Sequence, residues 1–284
     1  MRISTYIKKW FPAFALPTTL AFILAFVVPF GMGLFLSFTK FRTVNDAQWV
    51  GVENYITAFT ENNDFLHALG FTVSFTVVSV ITVNVVAFAL ASLLTKAIKG
   101  TNIFRAVFFL PNLIGGIVLG YIWQLLINGV LVGIAGEDLT SNSAYGFWGL
   151  VVVVNWQMIG YMMVIYIAGI QNIPGEVIEA AEVDGAGFWP KLFQVTIPMV
   201  TSAITICTFL TLSNCLKIFD QNLALTAGAP NHETEGLALN IYRTFYNVRN
   251  HQGVGQAKAV VFFVFVAIIA FFQLRLTRDK EVEG

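Results

Sequence analysis

Six stretches of the chain stay apolar over the length that one bilayer crossing requires. At about 20 apolar residues per crossing, residues 11–38, 71–94, 103–127, 147–170, 197–219 and 259–276 qualify. A backbone in hydrocarbon has to satisfy its own hydrogen bonds, so each stretch is expected to be an α-helix and the fold class all-α. The first stretch follows Arg2, Lys8 and Lys9, as the core of a secretory leader would. Its 28 uncharged residues exceed the roughly 7–15 of a leader's apolar core, which predicts an uncleaved first span.

Composition agrees with this pattern: 57% of residues are hydrophobic and only 11% charged, against roughly 25% charged in a soluble domain. The formal net charge is zero, so there is no electrostatic case for nucleic acid. Ten of the 16 Lys and Arg fall on the side of the N-terminus. Basic residues accumulate in cytoplasmic loops, so this predicts a multi-pass protein of the cell membrane with both termini in the cytoplasm. Cys207 and Cys215 share one apolar stretch and read as buried small side chains, not a disulfide. Loops 39–70 and 220–258 are long enough to carry short interfacial helices or to receive a partner on the outer face. They hold His67, His232 and His251 without the spacing of a metal site.

The loop between the fourth and fifth stretches reads IPGEVIEAAEVDGAGFWPKLFQVTIP. Pro174 suits a helix start, and Glu176 and Glu179 put negative charge near the positive end of the helix dipole. Gly185 or Gly187 can end the helix, Pro190 begins a second short one, and Pro198 opens the next span. Helix, glycine turn, helix is the expected order. At 100° per residue Glu176, Glu179 and Glu182 form one stripe, with Val177, Ile178 and Ala181 on the other side. The apolar side needs a cover. A lipid-binding helix carries Lys or Arg, and this one is acidic, which favours a protein partner or the chain's own helix ends.

Glu179-Ala180-Ala181, three residues, Gly185, nine residues and Val195-Thr196-Ile197-Pro198 resemble the EAA loop of ATP-binding-cassette importer permeases, with Val195 and Ile197 as conservative departures. RAVFFLPNLIGGIVLGYIW (105–123) is similar to the third span of the carbohydrate-uptake branch, the maltose-type first permease subunit. FDQNLALTAGAP (219–230) is similar to that branch's segment after span five, with Ala227 and Ala229 in place of glycines. The resemblance implies a type-1 permease domain over 11–276, a coupling loop at 171–196 and cytoplasmic ends at 1–10 and 277–284. It implies contact with a cytoplasmic ATPase through Glu179, Ala180, Ala181, Asp184 and Gly185. The partners it implies are a second homologous permease, two ATP-binding subunits, an extracytoplasmic sugar-binding protein and the bilayer.

The chain has no G-x-x-x-x-G-K-[ST] motif to cradle nucleotide phosphates. ATP and Mg are therefore expected on the partner ATPase, with no cofactor and no enzymatic activity in this chain. A carbohydrate brings many hydroxyls that are costly to desolvate unpaired, so its path needs polar groups and aromatic faces. The candidates are Asn84, Asn112, Tyr121, Trp123, Gln124, Asn155, Trp156, Gln157, Tyr161, Asn214, Lys217 and Asp220. Asn155-Trp156-Gln157 is singled out, because three polar-capable groups deep in a span are expensive unless they face a cavity. Thr72, Thr76 and Ser79 form a stripe that reads as helix packing. Pro111 and Gly115-Gly116 are positioned to kink the third span. The rival reading is an ion-coupled secondary sugar transporter. It would need an intramembrane ion relay, and the span centres carry no chain of Asp, Glu or His.

Overall fold

The computed structural model describes residues 11, 14–60, 64–95 and 100–281. The expected N-terminal segment 1–10, Lys96, Lys99 and residues 282–284 lie outside the described residues. Among the described residues five helices are long and apolar enough to cross a membrane, and a bent pair, counted as one span, makes a sixth. Contacts divide the chain into two compact units, Met1–Asn62 with Ile241–Phe262 and Asn63–Asn240 with Phe263–Gly284.

In the first unit α1 (Phe14–Leu36) buries none of its crossing segment. It leads into a minimal hairpin of β1 (Thr39–Lys40) and β2 (Gln48–Trp49), paired Thr39 to Trp49 and Lys40 to Gln48. From α2 (Glu53–Thr60) the buried Asn54 amide donates to the carbonyls of Ser37 at 2.9 Å and Thr39 at 2.8 Å. Those carbonyls lie just past the end of α1, where no helical N–H reaches them.

The second unit is built on α3 (Asp64–Leu94) and α6 (Ser143–Gln171), which pack along their lengths. Phe75, Val83, Ala87 and Ala91 of α3 meet Leu150, Val154, Met162 and Tyr166 of α6 in one core. Cys207, from α9 (Thr201–Leu216), joins them, and both cysteines are free and buried. Helix α3 begins seven residues before its predicted span, and Asp64 stands in its first turn. Charge there favours the helix dipole, so the helix outlasts the apolar run that revealed it.

Two predicted spans are corrected. Residues 103–127 are not one helix: α4 (Thr101–Phe109) ends in a 3₁₀ turn at Leu110–Leu113, and Ile114 and Gly115 are extended. The crossing helix is α5 (Gly116–Ala135). Pro111 and Gly115-Gly116 thus break the run where hydropathy is blind to backbone conformation. The stretch 197–219 also divides. Helix α8 (Phe188–Met199) meets α9 at Val200 with a bend of 72°. The 16 residues of α9 rise only about 24 Å, short of a hydrocarbon core of about 30 Å. Between α8 and α6 lies α7 (Gly175–Val183). The last helix, α12, spans Gln252–Glu281, beyond the predicted 259–276 at both ends. It carries residues 277–281 of the expected C-terminal segment.

After α9 the chain turns at 217–219 into α10 (Asp220–Leu225), which packs on α5. Close approach is possible because α5 presents Gly116 and Gly120 there. A Cβ on Gly116 would stand 2.7 Å from the Asp220 Cβ, and one on Gly120 2.6 Å from the Ala224 Cβ. This is the small-x-x-x-small packing that substitutes for hydrophobic drive between helices in lipid. A buried network holds the chain after α10. The Asn222 amide donates to the Thr234 carbonyl at 2.7 Å and to the Thr226 hydroxyl at 3.1 Å, and its oxygen accepts from the Gly236 N–H at 2.8 Å. The Thr72 hydroxyl accepts from the Leu237 N–H at 2.9 Å, the first residue of α11 (Leu237–Tyr246). Of the expected packing stripe, Thr72 is therefore a loop anchor as well.

Three substitutions test this packing. A Cβ at Gly160 would fall 1.8 Å from the Phe108 carbonyl oxygen. Gly160→Ala should therefore cost about 1–3 kcal/mol in unfolding of the detergent-purified protein, while Gly129→Ala, with nothing within 4 Å, should stay within about 0.5 kcal/mol of the parent. Asn222→Ala strands the Thr234 carbonyl and the Gly236 N–H and should lose about 1–3 kcal/mol in the same measurement.

Candidate functional site

Gln157 is the fifteenth of the 29 residues of α6, deep within the helix. Its Nε2 donates to the Ile114 carbonyl at 3.1 Å, the group left over where the chain breaks before α5. Its Oε1 accepts from Gln221 Nε2 of α10 at 2.7 Å. Around this pair opens a cavity of about 420 Å³, lined also by Asn112, Tyr161, Asn214, Lys217 and Asp220. Two breaks in regular structure converge on it: the turn carrying Asn112, and the turn at 217–219 between the end of α9 and the start of α10. Lys217 and Asp220 both line the cavity, and no ion pair joins them among the described residues.

Six of the predicted path residues thus come together: Asn112, Gln157, Tyr161, Asn214, Lys217 and Asp220. The others do not reach this cavity. Asn84 accepts from the Tyr166 hydroxyl at 2.7 Å and ties α3 to α6 inside the core. Gln124 donates to the Leu225 carbonyl at 2.9 Å, closing the end of α10. Asn155 turns back on the Val151 carbonyl of its own helix at 2.7 Å. Trp156 meets Trp123 edge-on with ring centres 5.5 Å apart, and Tyr121 is exposed. The consecutive trio Asn155-Trp156-Gln157 is therefore split. Neighbours on a helix point 100° apart, and only Gln157 faces the cavity. Gln221 was absent from the expected set. Its signal in the sequence is the polar run Asp220-Gln221-Asn222 directly after an apolar span.

At the other end of α9 lies the acidic loop. Pro174 precedes α7 in an extended conformation, with ψ 133°, and the Pro174 carbonyl accepts from the Val177 N–H at 3.1 Å. The helix closes at Gly185, with φ +75°. Ala186 N–H donates to the Ala181 carbonyl at 2.9 Å and Gly185 N–H to the Glu182 carbonyl at 3.1 Å, the paired bonds of a Schellman motif. A Cβ on Gly185 would touch nothing, so φ alone requires the glycine. Glu182 Oε1 and Lys191 Nζ form an ion pair at 2.6 Å that ties α7 to α8. Glu179 has no hydrogen bond or ion pair among the described residues. Ala180 and Asp184 are exposed and Ala181 is half-buried. Ile178 turns inward to a cavity of about 430 Å³ shared with Ser92, Thr95, Ile170 and Leu192, so the chain's own helix ends cover part of the apolar side.

The sequence pattern of the family described as binding-protein-dependent transport system inner membrane component matches residues 99–282. The probable starch degradation products transport system permease protein AmyD of Thermoanaerobacterium thermosulfurigenes is 42% identical over 282 residues, covering 96% of each chain. The multiple sugar-binding transport system permease protein MsmF of Streptococcus mutans is 30% identical, covering 97% of each. A chain in the crystal structure of a bacterial alginate ABC transporter, solved in complex with an alginate pentasaccharide-bound periplasmic protein, superposes with a TM-score of 0.80 over 98% of both chains at 20% identity. At that identity the likeness speaks for the type-1 importer fold. The matched pattern and the full-length relatives establish that this chain belongs to the binding-protein-dependent transport system inner membrane component family.

Proposed function

We propose that this chain is one permease half of an ATP-driven importer of neutral oligosaccharides, with the cavity around Gln157 as part of the sugar path. The observation that carries the reading is the lining itself: amides from Asn112, Gln157, Asn214 and Gln221 beside the Tyr161 ring. An amide both donates and accepts, which matches a hydroxyl that does the same, and an aromatic ring offers a flat face to a sugar's C–H surface. Lys217 and Asp220 cancel in charge, and among the described residues no Arg lines the cavity. That balance favours a neutral sugar over a phosphorylated or acidic one. The relatives named for starch products and multiple sugars agree with it.

The energy source is a pair of separate ATP-binding subunits that handle ATP and Mg and receive α7 on the cytoplasmic side. A second homologous permease and an extracytoplasmic sugar-binding protein complete the assembly, and both termini of this chain are cytoplasmic. Glu179, Ala180, Ala181, Asp184 and Gly185 form the contact: small side chains permit close approach, and unpartnered carboxylates can meet basic groups. A displacement of α7 passes through the Glu182–Lys191 ion pair to α8, then through the bend at Val200 to α9. The far end of α9 carries Asn214 into the cavity. Closure of the ATPases around nucleotide turns the cavity outward, and hydrolysis resets it inward.

Reconstituted with its genomic neighbours in vesicles, the complex should take up oligosaccharide only with ATP. Uptake that survives without ATP and collapses with an ion gradient would instead identify a secondary transporter. Gln157→Ala should lower uptake about tenfold, the equivalent of one hydrogen bond of about 1.4 kcal/mol. In the coupling loop, Gly185→Val should abolish sugar-stimulated ATP hydrolysis, because a β-branched residue resists positive φ. Gly185→Asn should retain most of it, because Asn tolerates that conformation. Equal activity of the two variants would remove the turn from the coupling route.

A further inference from the structure

Helix α8 has a face that neither the cavity nor the coupling contact explains. Phe188, Lys191, Leu192 and Thr196 turn toward the ends of α3 and α6, where they line the 430 Å³ cavity. On another face Trp189 and Phe193 are 64% and 60% exposed. Their rings stack at 5.9 Å with planes 15° apart, and the Phe188 ring meets Trp189 edge-on at 5.2 Å. Phe188 lines the cavity yet is 58% exposed, so three large aromatics share one surface cluster, which is expensive to leave in water.

Orientation and charge select what covers them. Helix α9 belongs to a crossing, and crossing helices tilt by about 20° on average. A helix inclined 72° to it therefore runs close to the bilayer plane. Aromatic side chains, Trp above all, concentrate at the depth of the lipid headgroups. Residues 188–199 contain no Asp or Glu and one Lys, whereas α7 beside them carries Glu176, Glu179 and Glu182. An anionic leaflet therefore repels α7 and does not repel α8.

We propose that α8 is an interfacial helix, with Trp189 and Phe193 embedded at the headgroup–acyl boundary of the leaflet that borders the loop. The Glu182–Lys191 ion pair then holds α7 at a set height above that surface. Docking of α7 meets a helix already braced against lipid, so its displacement reaches α9 instead of dissipating in a free loop. This placement goes beyond the coupling reading and stands separately from it.

The test is site-directed spin labelling of the assembled transporter in nanodiscs of phosphatidylethanolamine and phosphatidylglycerol. Cys207 and Cys215 are buried and stay unlabelled. Labels at Phe193→Cys and at Trp189→Cys should each collide more often with oxygen than with aqueous nickel chelate, at a depth of about 5–10 Å below the headgroups. Greater or equal access to nickel at either position would mean a solvated face, and protection from both reagents would mean a protein partner. Either result overturns the proposal. A label at Val183→Cys, 87% exposed on α7, should be open to nickel until the ATPase subunits are added. If that label alone fails to become protected, the coupling contact falls and the interfacial placement of α8 survives.

Discussion

A carbonyl freed from its helix inside hydrocarbon has no water to turn to, and the cost of leaving it unpaired is several kcal/mol. The second unit of this protein is organised around that constraint. Its chain leaves the helical conformation before α5 and after α10, and an amide side chain stands at each departure. Gln157 meets the carbonyl of Ile114, Gln124 that of Leu225, and Asn222 that of Thr234. Each amide repairs a local defect and in doing so ties two segments distant in sequence. The site follows from the repair, because segments that depart from helix leave room, and the groups that satisfy them make that room polar.

Close approach is the second requirement, since lipid offers helices no hydrophobic reason to associate. Gly116 and Gly120 let α10 lie against α5, and Gly160 lets the α4 backbone come within contact of α6. These contacts hold Gln221 where it reaches Gln157. The same economy governs the acidic loop. A left-handed Gly185 ends α7, one ion pair fastens it to α8, and the remaining carboxylates stay outward. From there the path to the cavity is continuous secondary structure, interrupted only at Val200.

Much of this is legible in the sequence. The apolar runs located α1, α3, α6 and α12, and the loop helix with its glycine turn followed from Pro174, the Glu stripe and Gly185. The third and fifth runs misled at their breaks. Hydropathy measures transfer from water, and Pro111, Gly115 and the residues near Val200 are as apolar as a continuous helix would be. The polar trio Asn155-Trp156-Gln157 misled in a different way. Depth in a span implies that a polar group needs a partner, but a helix carries its residues around all sides. Asn155 found that partner one turn back on its own backbone.

What the sequence determined by itself is therefore local in origin: the all-α class, the membrane crossings and the shape of α7. Each depends on transfer free energy summed over one segment, or on the φ preference of a single residue such as Gly185. Only the tertiary structure decided which amides line the cavity, that Gln221 completes the pair with Gln157, and that α8 turns away from α9 before the crossing begins. Those outcomes depend on how each helix is rotated about its own axis. That rotation is set by contacts between residues far apart in the chain, Gly160 against Phe108 and Gly120 against Ala224, which no single segment encodes.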